Sequence, residues 1–190
     1  AFNDVVCTGV EKKMGLHASP TCALSFGDND DCNGYLCGQE NRGLAHMFRL
    51  MNGARINTGV SGMTMASTAY RNALAYAKER IQGADLLRSK PGFVPIIEHP
   101  DVRRMLLWMK AMVDGMRSMI YAGAFWLDLS HASAKEEDRD HYQALEDFMT
   151  PIIKAYCSDM GFRVCETAMQ CLGGYGYCAE YPLEQYLRDV

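Results

Sequence analysis

At 190 residues the chain has room for one good hydrophobic core, or for one domain with part of another. With 48% apolar and 22% charged residues it has the balance of an ordinary globular protein, and a formal net charge of −4 offers no basic surface for nucleic acid. It contains no apolar run of 18 residues that would encode a membrane span, and its opening, Ala1-Phe2-Asn3-Asp4, has neither the basic nor the apolar region of a signal peptide and reads as the middle of a domain.

Residues 1–38 read as strands. Val5, Val6 and Val10 lead through Lys12-Lys13-Met14-Gly15 to a turn at Ala18-Ser19-Pro20, and Thr21 to Phe26 then alternates in the β manner. Gly27 to Gly34 is a polar turn cluster. Two or three strands cannot stand alone as a sheet, so they must pack on something else. Near residue 39 the pattern becomes helical, which sets the expected boundary. Leu44, Met47, Phe48, Met51, Arg55, Ala66, Tyr70, Ala73 and Ala77 recur at three-to-four spacing through Arg80, predicting one long helix. Thr58-Gly59 and Ser61-Gly62 are a candidate kink in it. Their small side chains would admit either a crossing helix or a flat ligand close to the backbone.

A loop is expected from Ala84 to Ile97, where Pro91, Gly92 and Pro95 forbid helix. From Asp101 to Leu129 one apolar face persists for seven turns and carries Met105, Met109, Met112 and Met116. At this spacing a methionine stripe is core rather than a channel for an acyl chain. Residues 131–140 read as a solvated connector. A third helix is expected from about Asp140 to Leu172, with Pro151 either kinking it or marking its true start. Three long antiparallel helices and a short terminal one make a mainly α, up-and-down bundle.

The eight cysteines form no Cys-x-x-Cys pair, and His17, His46, His99, His131 and His141 show no helical pairing, so no metal site is expected. Cys157, Cys165 and Cys171 fall within one helix and read as buried thiols in a reducing cytosol.

The chain closes on Gln170-Cys171-Leu172-Gly173-Gly174-Tyr175-Gly176-Tyr177, then Tyr181-Pro182 and Arg188-Asp189. By itself this is a glycine cap followed by a turn and a short helix. Glycines here also let another group approach the main chain. The wording of the stretch resembles the closing signature of the acyl-CoA dehydrogenase family, and Lys13-Met14-Gly15 with Ser19 and Thr21 resembles the second half of that family's middle β domain. The resemblance covers almost the whole chain. Pro95-Ile96-Ile97-Glu98-His99-Pro100 after a long loop is most similar to the branch that includes 3-methylmercaptopropionyl-CoA dehydrogenase.

The resemblance implies residues 1–38 as the end of the β domain and 39–190 as the C-terminal helical bundle without its last helix. It implies FAD as cofactor, an acyl-CoA substrate, electron-transferring flavoprotein as electron acceptor, a homodimer or homotetramer, and a cytoplasmic location, or the mitochondrial matrix in a eukaryote. In the family a carboxylate removes the α-proton while the β-hydride passes to the flavin, leaving a trans-2-enoyl-CoA. The catalytic glutamate is expected after Val190, and Ala54, at the family's alternative position for the base, cannot take a proton. The resemblance places Asn52 and Arg55 against substrate, with Asn in place of the usual Asp. It places Arg80, His99, Gln170, Gly173 and Gly174 against FAD, Arg80 meeting the diphosphate. Gln82, Gly83 and Pro100 depart from the family's pattern. The competing reading is a helical scaffold that kept the fold and lost the chemistry.

Overall fold

The computed structural model describes residues 3–87, 89 and 91–190, the Arg49 side chain excepted. These form two compact units, one running through Met51 and the other from Asn52 to Arg188.

In the first unit β1 (Val5–Val10) pairs antiparallel with β2 (Cys22–Phe26), Val5 opposite Phe26 and Val10 opposite Cys22. The register shifts between Cys7 and Gly9, so the ribbon carries a bulge. The polar cluster after β2 is ordered by Asp4, buried to 1% exposure, whose carboxylate accepts from the backbone N–H of Asn29 at 2.5 Å and from its side-chain amide at 3.3 Å. Val10, Leu24 and Phe26 are exposed, so at these positions the expected packing of the ribbon on other segments is not seen among the described residues.

α1 (Gly43–Glu79) is one continuous helix through Gly59 and Gly62. Its C-terminal two-thirds follows the expected stripe, with Ala66, Ala69, Ala73 and Ala77 fully buried. The earlier part of the stripe, Leu44, Met47 and Phe48, is exposed in this chain. The segment expected as a loop from 84 to 97 contains instead a short antiparallel ribbon of β3 (Ile81–Ala84) and β4 (Phe93–Pro95), followed by a 3-10 turn at Ile96–Glu98. Arg88 and Lys90 of that segment lie outside the described residues. β3 starts directly where α1 ends, and period-2 patterning over four residues with a glycine is too short to announce itself.

α2 (Pro100–Ala132) begins with a proline in its first turn, where no N–H is needed. The connector is only Ser133 to Lys135, because α3 (Glu136–Cys171) starts four residues before the expected boundary. The charge run that looked like solvated linker is the first turn of α3, where Glu136, Glu137 and Asp138 meet the positive end of the helix dipole. Pro151 lies inside α3 and does not end it. α4 (Leu183–Asp189) closes the described chain.

Side-chain contacts fix the directions. Arg117 of α2 reaches Ser67 and Met63 of α1, and Tyr156 of α3 reaches Met112 of α2. Along α1, Gly59 and Gly62 meet Ile153 and Cys157 of α3 in the same order. The three long helices therefore run up, down and up. Their core is Met109, Val113, Met116 and Ile120 from α2 with Ile153, Val164, Cys165 and Ala168 from α3, against the alanine stripe of α1. Of the methionine stripe, Met109 and Met116 are core as the spacing predicts, and Met105 and Met112 are partly buried against it. Ile153, wholly buried, lies between Gly59 and Gly123, and an added Cβ at either would come within 2.8 Å or 2.5 Å of its side chain. The small residues at 59 and 62 thus serve the helix crossing. Among the described residues no helix is long and apolar enough to span a membrane.

Candidate functional site

The C-terminal end of α1, the β3–β4 ribbon, the N-terminus of α2 and the end of α3 converge on a cavity of about 410 Å³. His99, Gln170 and Gly173 line it, together with Gln82, Gly83 and Tyr76. Residues as far apart in the chain as Tyr76 and Gly173 are thus brought to one place.

Each of these is locally determined. α3 ends at Leu172, and Gly173 takes φ +60°, the left-handed conformation that stops a helix. Gly174 does not share that conformation. At both positions an added Cβ would meet no described residue within 4 Å, and both are exposed, so Gly173 is accounted for by its backbone conformation and Gly174 by neither conformation nor packing among the described residues. Gly176 is different. It is buried, and a Cβ there would lie 2.2 Å from the carbonyl oxygen of Met169, so it folds the 3-10 turn Gly173–Tyr177 back on the end of α3. Gln170 donates from Nε2 to the Tyr177 hydroxyl at 2.5 Å, which orients its amide and leaves the carbonyl oxygen to face other groups.

His99 caps α2, and its Nε2 is 2.7 Å from the carbonyl oxygen of Gln82. A carbonyl only accepts, so Nε2 carries the proton, and Nδ1 has no hydrogen bond among the described residues. Gly83, at φ +77°, turns the ribbon beneath that ring, to which a Cβ would stand 3.5 Å away. Arg80 is not part of the cavity wall. It follows α1 directly, its guanidinium carbon 5.5 Å from the centre of the Tyr175 ring, and it has no ion-pair partner among the described residues. The Tyr76 hydroxyl beside it is pushed up by burial, an effect that the positive charge of Arg80 opposes.

Asn52 and Arg55 are brought to none of these. They stand 24 or more residues before the end of α1, which at 1.5 Å per residue is roughly 36 Å along one helix. Asn52 accepts from Arg55 at 3.4 Å and donates to Asp147 of α3 at 3.5 Å, and Gln143 donates to the same Asp147 oxygen at 3.2 Å. Arg55 is half-buried rather than buried, and its contact in this loose polar cluster is the long hydrogen bond to Asn52. Ala54 is exposed, its carbonyl accepting from Thr58.

Sequence reasoning named the tyrosines of the closing stretch but gave them no role. Tyr177 holds Gln170, and Tyr175, packed against Tyr181, lies under Arg80.

Residues 41–190 match the family model described as acyl-CoA dehydrogenase, C-terminal domain. A butyryl-CoA dehydrogenase of Syntrophomonas wolfei is 43% identical over 194 residues, covering 100% of this chain and 32% of the relative. The 3-methylmercaptopropionyl-CoA dehydrogenase of Ruegeria pomeroyi is 41% identical over 188 residues, covering 99% of this chain and 31% of that protein. Among solved structures, the butyryl-CoA dehydrogenase of Megasphaera elsdenii superposes with a TM-score of 0.77 at 26% identity, over 97% of this chain and 43% of that one. The chain spans about a third of the length of the curated relatives it matches.

Proposed function

The chain belongs to the acyl-CoA dehydrogenase family, and we propose that it is the C-terminal portion of an FAD-dependent enzyme that oxidises an acyl-CoA thioester to a trans-2-enoyl-CoA. The observation that carries this is the open glycine ledge. Gly173 and Gly174 are exposed beside this largely apolar cavity, with no described residue within 4 Å of where a side chain would stand, which leaves room for a bound ligand to approach the main chain. Residues 1–38 would be the end of a middle β domain and 39–190 the helical bundle.

The residues present fit a dinucleotide. Arg80 offers a planar fork of donors to a diphosphate, Gln170 and His99 offer polar contacts at its side, and the glycines allow close approach of the main chain. When bound, FAD supplies the hydride acceptor. The work of this chain is to bind and orient: Gln170 is held in one rotamer by Tyr177, and His99 in one tautomer by the Gln82 carbonyl. Asn52 and Arg55, far along α1, would hold the substrate, with Asp147 and Gln143 supporting them. The proton-abstracting carboxylate would lie after Val190. Electron-transferring flavoprotein is the proposed acceptor, a homodimer or homotetramer the proposed assembly, and the cytoplasm the proposed location.

Gly174→Val tests this in the full-length protein. Its backbone is ordinary and its surroundings are open, so valine leaves the fold intact and blocks only what lies on the ledge. FAD should bind at least 10-fold more weakly while the far-UV spectrum is unchanged. Unaltered FAD affinity would favour the scaffold reading.

A further inference from the structure

We propose that Tyr175 is the positioning residue for Arg80, presenting the edge of its guanidinium to an anionic ligand; this rests on the reading of Arg80 as a cofactor residue. The backbone of Arg80 is pinned on both sides, its N–H donating to the Tyr76 carbonyl at 2.8 Å and its own carbonyl accepting from Ile96 at 2.8 Å. Its side chain has no such anchor. No carboxylate pairs with it among the described residues, and its partner is the face of Tyr175, 5.5 Å from guanidinium carbon to ring centre.

That ring is itself held. Tyr175 lies 5.4 Å from Tyr181 at a tilt of 48°, and Tyr181 meets Tyr76 edge-on at 6.1 Å and 89°. The turn that carries Tyr175 is fixed by the close approach of Gly176 to Met169. A column of aromatic rings from α1, through the segment before α4, to the closing turn therefore ends under the guanidinium of Arg80.

Such a stack suits anion binding better than an ion pair would. A ring engages the flat face of a guanidinium and leaves the N–H donors at its edge free, whereas a carboxylate would occupy two of them and cancel the charge. The side chain, rich in rotamers, is then ordered before the ligand arrives, so less entropy is lost on binding.

The experiment measures FAD dissociation constants of the full-length protein with Tyr175→Phe, Tyr175→Leu, Arg80→Ala and the Arg80→Ala/Tyr175→Leu double variant. Leucine keeps apolar bulk against Tyr181 but has no π face. A cation–π contact at an exposed site predicts about 2- to 5-fold weaker binding for Tyr175→Leu, with Tyr175→Phe close to wild type. In the Arg80→Ala background Tyr175→Leu should add nothing, because a ring that acts through Arg80 has nothing left to position. Equal losses from Tyr175→Leu with and without Arg80, or no loss from Tyr175→Leu, would overturn the proposal while leaving Arg80 as a cofactor residue. No loss from Arg80→Ala would overturn both.

Discussion

Replacing Gly62 by alanine should lower stability, although helix propensity taken alone predicts the reverse. In the middle of an exposed helix this exchange is worth about 1 kcal/mol in favour of alanine. Here a Cβ at position 62 would stand 2.5 Å from the carbonyl oxygen of Cys157, 3.0 Å from its carbonyl carbon and 3.3 Å from Cα of Ser158, all backbone atoms of α3 that no rotamer change can move. An ordinary contact begins near 3.4 Å, so α1 and α3 must separate by roughly 1 Å at their crossing, in an interior too dense to absorb it. Ile153, lodged between Gly59 and Gly123 one turn away, would lose contact as they part. Overpacking of this kind costs about 1–3 kcal/mol, and at this chain length each kcal/mol moves Tm by about 2–4 °C. A fall of roughly 3–10 °C is expected in thermal unfolding followed by far-UV circular dichroism. Gly115→Ala on α2, where nothing lies within 4 Å of the new Cβ, is the matched control and should raise Tm by a few degrees. A Gly62→Ala variant melting at or above wild type would show that the crossing is not close-packed.

Among the thiols, Cys7, Cys22, Cys32 and Cys37 are exposed and should react promptly with a thiol reagent, whereas Cys157, Cys165 and Cys171 should react only on unfolding; rapid modification of Cys165 in the native chain would contradict its burial. Burial pushes the Cys157 thiol up to about 11 and Cys165 up to about 12, so the folded chain keeps protons that the unfolded chain releases near 9. Their contribution to stability is accordingly complete below pH 9 and lost as pH rises through 11 to 12, and urea midpoints measured across that window should fall more steeply than in a Cys157→Ala/Cys165→Ala variant. The 190-residue chain by itself should not convert acyl-CoA to enoyl-CoA with an artificial electron acceptor, since Ala54 offers no base; measurable product would place the base within these residues. Light scattering at micromolar concentration should find dimers or larger assemblies, because Leu107, Tyr121 and Phe125 of α2 and Phe148 of α3 are each 59–68% exposed; a clean monomer would refute this.

The three long helices were legible in the sequence because a 3.6-residue apolar period sustained over 30 residues has no competing interpretation. The wording from Gln170 to Tyr177 marked the end of α3 as the candidate site only through its resemblance to the family's closing signature; by spacing alone it reads as a glycine cap. Short and local features were not legible. The β3–β4 ribbon is too brief for a period, and the acidic start of α3 looks like linker until the helix dipole it faces is known to begin there. The choice left open for the small residues at 58–62, helix crossing or ligand wall, depends on what stands opposite, and opposite is α3, almost a hundred residues later in the chain. The same holds at the site. Sequence could name His99, Gln170 and Gly173 and, through one long helix, set Asn52 and Arg55 roughly 36 Å from its end, but only tertiary structure could put the first three around one cavity and set Arg80 on Tyr175, because contacts between distant segments are made by packing and leave no local pattern to read.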